Sequence, residues 1–189
     1  MQIAETERLI LRQYTVEDAK EFYRIYTDPI NMKFMGRMPD SLEFEREHIQ
    51  KHIDNYYNKY GFGLWATILK SNNKLIGRCG LLYQEIEGTK DLELAYLLDW
   101  NYWGRGLATE AAEVSIKLGF EEFNFTRIIA VINPQNVASI RVAEKVGLSY
   151  EREIASFKDF GKVSMYSLIL PATKDTNSTS ETNLSASQN

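Results

Sequence analysis

A strand-like segment closing near residue 99 and a helical one opening at Leu107 are joined by the run Trp103-Gly104-Arg105-Gly106-Leu107-Ala108-Thr109-Glu110. Two glycines one residue apart let the backbone turn tightly and let a ligand approach its amides. The helix that follows opens with N–H groups that have no intrahelical partner, and with a partial positive charge. A turn of this kind suits a phosphate or pyrophosphate, and Arg105 adds a cation beside it. A strand, a tight turn and a helix in succession also commit this part of the chain to an α/β arrangement.

Two phosphate-binding turns do not fit. A P-loop needs G-x-x-x-x-G-K-[ST], which is absent. A dinucleotide turn needs a third glycine where Thr109 stands, and an acid where the next strand ends in Asn133.

The flanking segments alternate strand and helix signals. Leu9–Arg12 is a short apolar strand. Thr15 opens a helix, with Asp18 at capping-box spacing and Ala19, Phe22, Tyr23 and Tyr26 at helical spacing. Asp28-Pro29 stops it. Ser41 caps a second helix that runs to about Tyr60, where Gly61 ends it. Strands at Leu64–Leu69, 74–83 and 91–99 read as an antiparallel meander, joined by turns at 71–73 and 87–89. A helix to about Phe120 follows the glycine turn, with Ala111, Ala112, Ser115 and Leu118 facing inward. Then come a buried-type strand Arg127–Ile132, a helix over 136–146 stopped by Gly147, and a hairpin of strands 148–157 and 163–170. This order predicts an α/β fold with a mixed sheet, in one domain over residues 1–171. Residues 172–189 hold a single large aliphatic residue, Leu184, and are expected to form a disordered tail.

Composition removes several classes. The 189 residues carry 22 Lys+Arg against 26 Asp+Glu, a net charge of -4, which provides no general grip on nucleic acid. The lone cysteine, Cys79, excludes an intrachain disulfide and a thiolate zinc site. No apolar run approaches the roughly 18 residues of a membrane span, and residues 1–5 do not read as a signal peptide. The expectation is a cytoplasmic protein without metal, bound neither to nucleic acid nor to membrane. Exposed strand edges leave a homodimer open.

Several separated pieces occur in one order: Glu7-Arg8-Leu9-Ile10-Leu11-Arg12, Ile76-Gly77, Glu93-Leu94-Ala95-Tyr96, the run 102–111, and Asn136-Val137-Ala138-Ser139 followed by Glu144-Lys145-Val146-Gly147-Leu148. With these the chain resembles the GNAT N-acetyltransferase superfamily, in its RimJ/RimL-type branch. The resemblance implies a mostly antiparallel mixed sheet flanked by helices, with a splayed central strand pair. It also implies acetyl-coenzyme A as co-substrate. Amides from Gly104, Arg105, Gly106, Leu107, Ala108 and Thr109 would hold the pyrophosphate. Tyr96, Leu97 and Leu98 match the strand edge that pairs with the pantetheine arm, and Asn136 would touch that arm. The family's Q/R position is Trp103 here, read as a packing residue.

Acetyl transfer to an amine requires a neutral amine, a held oxyanion and a stabilised thiolate. At pH 7, neutralising an α-amine costs about 1 kcal/mol and a lysine-type amine about 4.6 kcal/mol. By resemblance Glu93 is the base and Ser139 the thiolate's partner. Glu93 also reads as a salt-bridged strand carboxylate, and Asn136 as a plain N-cap. The tyrosine that many relatives carry on this helix is Ala143. The resemblance makes a protein N-terminal α-amine the favoured acceptor, with direct transfer in a ternary complex as the expected route. A small amine such as a polyamine, amino acid or aminoglycoside is the alternative, as is an acetyl-coenzyme A sensor without turnover. His48 and His52 lack the H-E-x-x-H pattern and read as two solvated histidines. The aromatics Tyr56, Tyr57, Tyr60, Phe62 and Trp65, with loop 34–38, flank the acceptor pocket in the family. Cys79 reads as a buried small residue.

Overall fold

In the computed structural model, which describes residues 1–170, one eight-stranded sheet organises the chain. Its strands are β1 (Gln2–Glu5), β2 (Leu9–Arg12), β3 (Leu64–Leu69), β4 (Lys74–Ile86), β5 (Thr89–Leu98), β6 (Arg127–Ile132), β7 (Ser149–Ile154) and β8 (Val163–Ile169). Their spatial order is β1-β2-β3-β4-β5-β6-β8-β7. All neighbours pair antiparallel except β5 with β6, which run parallel. Burial follows this order. Every residue of the inner strand β3 is buried, whereas the edge strand β7 buries only Ile154.

The central pair is splayed as the family resemblance implies. β4 and β5 pair over ten positions and β6 and β8 over six, but β5 meets β6 only at Glu93 opposite Ile129. Helix α1 (Ala19–Tyr26) turns Ala19, Phe22, Ile25 and Tyr26 into the core, and α3 (Leu42–His52) packs beside it. Helix α5 (Leu107–Glu121) buries Leu107, Ala111, Ala112, Ser115, Ile116 and Gly119 against β4 and β5. Helix α6 (Val137–Lys145) follows β6.

The structure corrects several local expectations. Strand β1 was not apparent from its sequence; it exists through pairing with β2. Asp28-Pro29 ends α1 but also begins a short helix, α2 (Pro29–Met32), with Asp28 Oδ1 accepting the Ile30 N–H and proline at the first turn. The second helix does not run unbroken to Tyr60. It changes to a wider π-type turn over Ile53–Tyr57 before α4 (Asn58–Tyr60). Strands β4 and β5 extend to Ile86 and from Thr89, so their hairpin is longer than expected. The expected tail at 172–189 lies outside the described residues.

Gly77 is a close-contact point of this sheet. Its φ is +150°, and a Cβ there would stand 2.1 Å from the Leu97 carbonyl oxygen. Gly77→Ala is expected to lower stability by about 2–4 kcal/mol through backbone strain and overpacking. Urea unfolding with an unchanged slope checks this; an unchanged midpoint would show that β5 yields without cost.

Candidate active site

Two spaces meet at the mouth of the splay. The first is a groove of about 290 Å³ lined by Tyr96, Leu97, Leu98, the glycine turn and the start of α6. Gly104 and Gly106 take φ of +74° and +76°, a left-handed backbone that glycine adopts without strain. The first intrahelical bond of α5 runs from Glu110 N–H to the Gly106 carbonyl, so the amides of Leu107, Ala108 and Thr109 precede it and remain donors. Arg8 braces the turn from the β1–β2 connection. Its Nη1 donates to the Arg105 carbonyl at 2.8 Å, its backbone N–H donates to Glu110 Oε1 at 2.9 Å, and its Nε pairs with Glu110 Oε2 at 2.6 Å.

The β4–β5 ladder determines what the splay exposes. Asp99 N–H bonds to the Ile76 carbonyl. Alternation therefore turns the backbone groups of Tyr96 and Leu98 away from β4, toward the gap. Trp103, half exposed rather than packed in the core, donates Nε1–H to the Leu98 carbonyl at 2.7 Å. That corrects the reading of Trp103 as a packing residue.

The second space, a cavity of about 540 Å³, lies between the sheet and the α1–α3 side. Glu93 lines it and is 8% exposed. Burial pushes its carboxyl up to about 7, although the Gln84 hydrogen bond, Lys158 and the Val131 amide oppose this. Gln84 Nε2 donates to Glu93 Oε2 at 2.8 Å, and Lys158 Nζ donates to Gln84 Oε1 at 2.6 Å. Tyr96, Asn136 and Ser139 line both spaces. Asn136 caps α6 by accepting the Ser139 N–H, and the Tyr96 hydroxyl donates to the Ser139 carbonyl at 2.8 Å across the gap. Burial holds the Tyr96 phenol well above its ordinary value, so it keeps its proton at neutral pH. Ala143 is fully buried and presents no acid.

A family model described as an acetyltransferase (GNAT) domain matches residues 8–149. The chain belongs to the GNAT acetyltransferase family. YkkB, an uncharacterised protein of Bacillus subtilis, is 35% identical over 150 residues, covering 79% of this chain and 86% of its own. A GNAT-family acetyltransferase from Bacillus anthracis superposes with a TM-score of 0.72 at 25% identity, covering 89% of this chain and 98% of the other. RimL, a ribosomal L7/L12 α-N-protein acetyltransferase solved with coenzyme A, shares the fold with a TM-score of 0.75 at 18% identity, covering 90% and 98%.

GNAT acetyltransferases use acetyl-coenzyme A, and the groove suits it: left-handed glycines, three leading helix amides and nearby Arg8 fit a pyrophosphate. Every residue expected to touch this co-substrate, including Leu97 and Asn136, borders the groove or belongs to its turn. Glu93 and Ser139 both face the adjoining cavity. Sequence reasoning missed the side chains of Tyr96, Gln84, Arg8 and Arg78. Arg8 and Tyr96 had a local signal, since each lies in one of the motif pieces; Gln84 and Arg78 had none. The histidine pair is corrected: His48 is exposed, but His52 is 8% exposed and accepts the Leu64 N–H at 3.0 Å. Burial, Arg78 and His48 push His52 down to about 3. Cys79 is buried, its thiol pushed up to about 12 by burial, which makes it inert. Among the described residues no group of three or more His, Cys, Asp or Glu is placed to hold a metal ion, and no helix is long and apolar enough to cross a membrane.

Gly106→Val is expected to weaken acetyl-coenzyme A binding at least about tenfold, because a β-branched residue resists φ of +76°. Calorimetric titration checks it; unchanged affinity would give the turn another job.

Proposed function

We propose that this acetyltransferase moves an acetyl group from acetyl-coenzyme A directly to an α-amine in a ternary complex, with Glu93 as general base. The observation that carries this reading is a buried carboxylate, pushed up to about 7 by that burial, lining a cavity that joins the cofactor groove. Taking a proton from an α-amine of pKa ~7.7–8.0 costs such a base about 1 kcal/mol. Taking one from a lysine or polyamine amine near ~10.4 costs about 4.6 kcal/mol. A protein N-terminus is the favoured acceptor, as the name of RimL states for that enzyme, and a small molecule bearing an α-amine is the alternative.

The remaining roles follow from position. The Leu98 N–H, turned into the gap, is placed to bind the oxyanion, while Trp103 occupies the adjacent carbonyl. The Ser139 hydroxyl, at the first turn of α6, stabilises the departing thiolate. Tyr96 fixes that turn by bridging to the Ser139 carbonyl and is a second proton-bearing group at the junction. The site thereby compensates for the buried alanine at position 143.

Free-thiol release from acetyl-coenzyme A, measured against peptides, amino acids, polyamines and aminoglycosides, tests this reading. The base must be ionised to act. Turnover is therefore expected to rise with pH through about 7 and then level off. Glu93→Gln should remove that limb and lower kcat by about 10²–10⁴-fold while leaving acetyl-coenzyme A binding intact. An unaltered pH profile in that variant removes Glu93 from the mechanism. Ser139→Ala should lower kcat more than it weakens cofactor binding; equal activity removes Ser139. Tight cofactor binding without release to any amine would replace the enzyme reading with that of a sensor.

A further inference from the structure

The acceptor cavity holds a cation that the chemistry above does not use. Arg78 lies on β4 opposite Leu97, and Leu82 on the same strand lies opposite Glu93. Positions 78 and 82 share a sheet face, so Arg78 and Glu93 project into one cavity, about 14 Å apart along the strands. Seven arginines, at positions 8, 12, 24, 37, 46, 127 and 152, pair with a carboxylate. Arg105 and Arg141 do not, but both are exposed. Arg78 is the one arginine among the described residues that is partly buried and has no carboxylate within 4.0 Å.

Its surroundings are built to accept an anion. The Tyr26 ring lies 4.7 Å from the guanidinium, a cation–π contact, and the Tyr14 hydroxyl stands beside the planar fork of donors. The hydroxyls of Tyr14 and Tyr26 are buried without hydrogen-bond partners among the described residues, and both side chains line the cavity. The other groups facing Arg78 are Glu45, His48 and His52. Burial pushes Glu45 up to about 7, so it carries only part of a charge at neutral pH. His52 is neutral there. A half-buried cation whose facing carboxylate, Glu45, carries only part of a charge leaves room for the charge of a ligand.

We propose that Arg78 forms an anion subsite in the acceptor cavity and that the natural acceptor is an amine that also carries a carboxylate. The fork of Arg78 binds the carboxylate, and the amine stands between Glu93 and the splay. This rests on the α-amine reading and narrows it. A polyamine, cationic throughout, would set like charge against Arg78 and be rejected. The carboxylate can belong to a free amino acid or to an acidic residue at a peptide N-terminus, and the experiment separates the two.

Wild type, Arg78→Gln and Arg78→Lys are compared on a free amino acid and its amide, on peptides with an acidic or neutral first residue, and on spermidine. The expected result is a preference for carboxylate-bearing acceptors that Arg78→Gln reduces by about tenfold to a hundredfold, mainly through KM, and that Arg78→Lys partly restores. The pair showing the preference identifies the source of the carboxylate. Acetyl-coenzyme A titration verifies that each variant is folded. A preference unchanged in Arg78→Gln, or spermidine as the best acceptor of wild type, overturns the subsite. A titration independent of turnover uses an N-acetylated amino acid in the presence of coenzyme A. Its binding should depend on Arg78, and equal binding to wild type and Arg78→Gln overturns the proposal. Arg78-dependent binding without transfer to any α-amine supports the subsite and overturns the α-amine reading alone.

Discussion

The parting of β5 from β6 after a single ladder pair is the constraint on which the rest of the site depends. Two parallel strands that separate leave backbone donors and acceptors unmet, at about 1–3 kcal/mol for each one buried without a partner. The chain absorbs this locally. Trp103 takes the Leu98 carbonyl, and the Tyr96 hydroxyl spans the gap to the Ser139 carbonyl. Each strand is anchored by its other neighbour, β5 by ten positions of β4 and β6 by six of β8. The gap stays open because both sides are held elsewhere, and it joins a groove suited to a pyrophosphate with the cavity that Glu93 lines.

The two spaces use opposite electrostatic means. The groove offers fixed partial charges, helix amides and left-handed glycines, in contact with solvent and braced by the Arg8–Glu110 pair. The cavity relies on desolvation. Burial raises Glu93 and Glu45 toward neutrality and lowers His52 below it, so three groups that would be unremarkable on a surface acquire altered charge states. Only one of them, Glu93, stands beside the splay with a hydrogen-bond partner, Gln84, that Lys158 holds in turn.

Much of this was legible in the sequence where the determining contacts are local. The glycine turn and the Asn136 cap are fixed by backbone preferences within a few residues, and the structure places them as expected. Strand β3 was legible because its apolar run has no other use than burial. The failures were non-local. β1 exists only because β2 pairs with it. The turn at Ile53–Tyr57 departs from the helix where Tyr57 reaches the Leu64 carbonyl and the Tyr14 amide. His52 looked like its neighbour His48 until the Leu64 amide was placed on it.

The sequence by itself determined the family, the order of the strands and helices other than β1 and α2, the glycine turn and the helix cap. Those properties reside in residue types at short spacing. The tertiary structure alone decided which charges are buried, and therefore which are usable. Arg78 and Glu93 are fifteen positions apart, on different strands, and nothing beside Arg78 in the sequence marks it as more than a charged residue in an apolar run. Pairing β4 with β5 turns both toward one cavity, and packing α1 and α3 over that cavity removes the water that would otherwise have screened them.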